Sequence, residues 1–70
     1  MTSSTAMNGQ ERVALAEAVR KACVQAALDA YENARMDGLC HDGAWEVAVG
    51  AIRALNVERV VRDLDVEKRA

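Results

Sequence analysis

Between Trp45 and Leu55 the apolar side chains fall at Trp45, Ala48, Val49, Ile52 and Leu55, the i, i+3, i+4, i+7, i+10 spacing of residues that share one helix face. This is the sharpest single-face stripe in the chain. It predicts a helix over about 43–55 whose stripe is the inner face of a helix pair. Past Asn56 the residues Val57, Val60, Val61 and Leu64 resume helical spacing, but at 100° per residue their centre is rotated by roughly 130° from the earlier stripe. Asn56 therefore marks a kink or break, followed by a short third helix or kinked extension over about 57–65.

The upstream pattern differs. Asn8 with Glu11 three residues on has capping-box spacing, with Asn in place of Ser or Thr, and starts a helix near Gly9. No residue breaks it before Met36, so it covers about 9–36 and runs roughly 42 Å. On a wheel, Leu15, Val19, Cys23, Ala26, Ala27, Ala30 and Ala34 form one band, and Val13, Val24, Leu28 and Tyr31 widen it. That surface exceeds half the circumference, whereas one helix contact covers about a 100° stripe. Asp37-Gly38 ends the helix, Gly38 supplying a left-handed residue and Leu39 returning toward Ala34 in a Schellman cap. Asp42 is the expected cap of the second helix, with Glu46 in its first turn. Residues 1–7 read as a flexible leader and 66–70 as a frayed end.

Seventy residues, with no proline, four glycines and fourteen alanines, make one all-α domain over 8–65, built as an antiparallel helical hairpin. Leu, Ile, Val and Phe total only fifteen. So small an apolar set struggles against chain entropy of roughly 1.5 kcal/mol per ordered residue. Self-association is the economical remedy, and two hairpins about a twofold axis form a four-helix bundle. The small residues of the first helix allow close approach, so Leu15, Val19, Ala22, Ala26, Ala30 and Tyr31 are the expected dimer or partner surface. The competing arrangement is a monomer in which Val57 to Leu64 folds back over the first helix.

Nine basic against eleven acidic residues give a net charge of −2, and opposite charges interleave at four-residue spacing rather than forming a basic face. Nucleic acid is not an expected partner. No apolar run approaches a membrane span, and no basic segment followed by an apolar run marks an export signal. Two cysteines are too few for a secreted disulfide scaffold, so the expected location is the cytoplasm.

The segment Met36–Glu46 gathers Cys40, His41, Asp42 and Glu46 with the single Trp. Cys40 ahead of a helix start is a candidate reactive thiol, with His41 as base or cation. The same four residues are a weak metal candidate, since neighbouring positions rarely converge on one ion. The plainer reading makes Asp42 a cap, His41 a solvated turn residue, and Leu39 with Trp45 a hydrophobic plug. No enzymatic activity, cofactor or resident metal is expected. The leading expectation is a small homodimeric interaction module, with a larger protein, such as an enzyme it accompanies, as a further partner; the alternative is the thiol or metal site at Cys40 and His41.

Overall fold

A computed structural model describes the backbone of residues 7–69 and the side chains of residues 7–65. The expected leader lies almost wholly outside the described residues, as do the side chains of the expected frayed end. Three helices account for most of the chain, α1 over Gly9–Met36, α2 over His41–Arg53 and α3 over Val57–Arg69, with no strand among the described residues. The protein is all-α.

Each helix boundary has a local chemical cause. The Asn8 side chain accepts from the Glu11 amide at 2.8 Å, and the Asn8 amide donates to Glu11 Oε1 at 3.0 Å, a complete capping box that satisfies two helix-start donors. At the far end Gly38 adopts a φ of 97°. The Leu39 amide then donates to Ala34 O and the Gly38 amide to Arg35 O, both at 3.0 Å, which is the paired bonding of a Schellman stop.

That tight turn returns the chain sooner than the sequence suggests. Cys40, not Asp42, occupies the cap of α2, with extended backbone and its carbonyl accepting from Ala44 N–H at 2.8 Å. Asp42 sits instead in the first turn, where its charge still meets the positive end of the helix dipole. At the second boundary Asn56 Oδ1 accepts from the Arg59 amide at 3.0 Å. Asn56 thus does more than interrupt a helix; it caps α3.

α2 and α3 both pack against α1, α2 with His41 against Tyr31 and α3 beside the middle of α1. The rotation of the apolar stripe at Asn56 has a direct consequence, because it carries Val60 and Leu64 onto α1 near Ala18 and Ala22.

The α2 stripe is not the face expected from its spacing. Ala44 and Ala48 are buried and Ala51 and Leu55 half-buried, whereas Trp45 and Ile52 are exposed. The innermost line is thus rotated toward the alanines. Ala34 of α1 and Ala44 and Ala48 of α2 are the buried core, and small side chains let two helix backbones approach closely, leaving bulky neighbours at the flanks of the seam.

The result is a slab 50 × 25 × 16 Å with a radius of gyration of 15.7 Å, against about 11 Å for a compact domain of this length.

Candidate functional site

Two features stand out on this slab, a polar cluster at the α1–α2 turn and a broad apolar face beside it. In the cluster the Tyr31 hydroxyl and His41 Nδ1 lie 2.7 Å apart, and the two rings meet edge-on with centroids 5.7 Å apart. Arg35 donates from its guanidinium to Leu39 O at 3.2 Å, tying the turn to the last turn of α1.

Cys40 is exposed and Cys23 half-buried, both as thiols. The first-turn amides of Gly43 and then Asp42 pull the Cys40 pKa below the ordinary thiol value, with a smaller contribution from the Arg35 charge. The sulfur makes no cap hydrogen bond, so this pull is the field of helix-start N–H dipoles rather than a formed bond. His41, Asp42 and Glu46 are all exposed. Among the described residues no three His, Cys, Asp or Glu side chains are grouped to hold a metal ion.

The expected plug is not closed. Trp45 is 59% exposed and Leu39 39% exposed, because the alanine seam has taken the interior. His41, by contrast, is held by Tyr31 rather than simply solvated.

The residues expected to form the partner surface lie elsewhere than the outer face. Leu15, Val19, Ala22, Ala26, Ala30 and Tyr31 are all half-buried. Ala22 lines a shallow groove with Val60 and Leu64 of α3, while Ala26 and Ala30 share the helix line of buried Ala34. Only Tyr31, near the turn, also borders the open apolar face.

That face follows from helical geometry and the Tyr31–His41 contact. Val24, Leu28 and Tyr31 are spaced i, i+4, i+7 on α1, and His41, Trp45 and Ile52 are spaced i, i+4, i+11 on α2, so each set shares one side of its helix. Tyr31 and His41 meet across the seam, which puts both stripes on the same broad face of the slab. Val24 is 52%, Leu28 53% and Ile52 41% exposed. A shallow hollow lined by Trp45, Glu46, Val49 and Arg53 adjoins it.

The sequence pattern identified Val24, Leu28 and Tyr31 as the widened edge of an apolar band. What it lacked was a way to tell which half of that band the returning chain would cover.

The chain matches no protein-family model, and no curated protein or solved structure is significantly similar to it. No helix among the described residues is long and apolar enough to cross a membrane.

Proposed function

We propose that the protein is a helical hairpin that acts as a protein-interaction module, existing as a homodimer whose two hairpins form a four-helix bundle. One observation carries this reading: among the described residues nothing larger than alanine is buried. Full burial of a Val, Leu or Ile side chain is worth about 1.5–3 kcal/mol, and here Val24, Leu28 and Ile52 are left with roughly half of that unrealised. Ordering each residue still costs about 1.5 kcal/mol. A protomer with an alanine core leaves this deficit standing, whereas a twofold partner buries the exposed face on both chains at once.

Sedimentation equilibrium at micromolar concentration tests it. The expected species has twice the 7.6 kDa chain mass, and its helical circular dichroism is lost together with dissociation. A fully helical species of single-chain mass at that concentration overturns the reading. Two unpaired thiols support a reducing compartment such as the cytoplasm.

The second reading, a reactive thiol, is favoured by the exposure of Cys40 and its lowered pKa. It requires rapid alkylation near neutral pH, and slow labelling of Cys40 removes it.

A further inference from the structure

We propose that α3 is a strap: it releases from α1 as a single unit, hinged at 54–56, while α1 and α2 stay paired, and its release bares the α1 line of Leu15, Ala18, Val19 and Ala22. The device belongs to one chain, so it stands or falls separately from the homodimer reading.

Such a release leaves α2 intact. Among the described residues α3 packs on α1 and not on α2. The junction is also closed on each side. Ala54 N–H donates to Gly50 O at 2.9 Å and Leu55 N–H to Ile52 O at 3.2 Å, whereas Val60 N–H donates to Asn56 O at 3.3 Å and Arg59 N–H to Asn56 Oδ1 at 3.0 Å. None of these bonds crosses from α2 to α3, so each helix keeps its own end when the other moves.

The two helices are held on α1 unequally. α2 buries Ala44 and Ala48 and half-buries Gly43, Val49 and Ala51. Along 57–65 of α3 only Val60 and Leu64 are even half-buried, a single i, i+4 pair on one side of the helix. Beside them stand Ala18 and Ala22, whose short side chains leave an open groove of about 360 Å³. Lys21 and Asp63 border that groove, yet the ion pair among the described residues is Arg20 with Glu17, both on α1. Segments with few buried apolar contacts open at lower free energy than the rest of a fold. A helix of 13 residues taken off its support is marginal in water, so release and melting of α3 are one event.

Leu15, Ala18, Val19 and Ala22 are spaced i, i+3, i+4, i+7 and share the side of α1 on which α3 lies. All four are half-buried. Leu15, Val19 and Ala22 also belong to the surface that the helical wheel marks out for a partner. Docked, α3 covers that part of the surface; released, it opens it, which makes the strap the control on its exposure.

The test is amide hydrogen exchange, read by NMR on the full-length chain at several urea concentrations below the unfolding transition. The amides of 61–65 are expected to share one protection factor, at least 10-fold lower than that of 47–52 in α2, with a shallower dependence on urea. A second measurement uses the double variant Val60→Gln with Leu64→Gln, which removes the apolar contact with a residue of good helix propensity. It is expected to lose about a quarter of the helical circular dichroism, the share of α3 among the three helices, while the amides of 47–52 remain protected at least 10-fold over unfolded-chain rates.

Equal protection and equal urea slope in α2 and α3 mean one cooperative unit and overturn the proposal. Protection that declines residue by residue from 61 to 65 is fraying of a chain end and overturns it as well. A double variant that unfolds throughout does the same, by showing that α1 and α2 do not stay paired without α3.

Discussion

Cys40 shows how one residue's chemistry is set by a boundary two or three residues away. It caps α2 without a side-chain bond, and the N–H groups of Gly43 and Asp42 lower its pKa. The thiolate fraction governs alkylation, so iodoacetamide at neutral pH is expected to modify exposed Cys40 several-fold faster than half-buried Cys23, read by peptide mass spectrometry. The same depression links stability to pH. The unfolded thiol holds its proton to higher pH than the native one, so stability rises with pH between the two values and that gain is lost as pH falls through the native pKa. Cys40→Ser is expected to remove that slope, measured by urea midpoints across the alkaline range. The candidate thiol was legible in the sequence from its place before a helix start. That Cys40 itself is the cap, and that His41 is held by Tyr31, depended on how many residues the turn consumes.

Helix ends obeyed local rules more closely than helix faces did. Asn8 with Glu11, and Gly38 with Leu39, form the bonds their spacing implies, because caps involve atoms within a few residues of one another. Gly38→Ala is expected to destabilise by about 1 kcal/mol, since its φ of 97° is unfavourable for a residue with a Cβ. Asn8→Ala is expected to lose about 1 kcal/mol of helix-start stabilisation. Both are read from denaturant midpoints. Gly50 behaves in the opposite sense. It lies in the interior of α2, and a Cβ there meets nothing within 4 Å. Gly50→Ala is therefore expected to stabilise by roughly 0.5–1 kcal/mol. The stripe of α2 was less legible. Spacing alone allows Trp45 and Ile52 inside, but Ala44 and Ala48 are the buried pair, because facing Ala34 favours the closest backbone approach over the largest side chain.

At the scale of the whole molecule, the alanine core and the exposed Trp45 leave little buried apolar area, and on the proposed homodimer reading folding and association are one event. Thermal midpoints are accordingly expected to rise with protein concentration, as mass action requires of a dimer that has no stable folded monomer; a midpoint constant over a hundred-fold dilution contradicts this. Composition and periodicity were sufficient for three helical segments, both ends of α1 and the break at Asn56, since helix formation draws on neighbours three and four residues apart. They also revealed more apolar circumference on α1 than one short partner helix covers. Which part of that circumference stays open was decided only when α2 and α3 docked. Burial depends on the relative rotation and distance of whole helices, and here small side chains won the interior, placing Val24, Leu28, Trp45 and Ile52 outward.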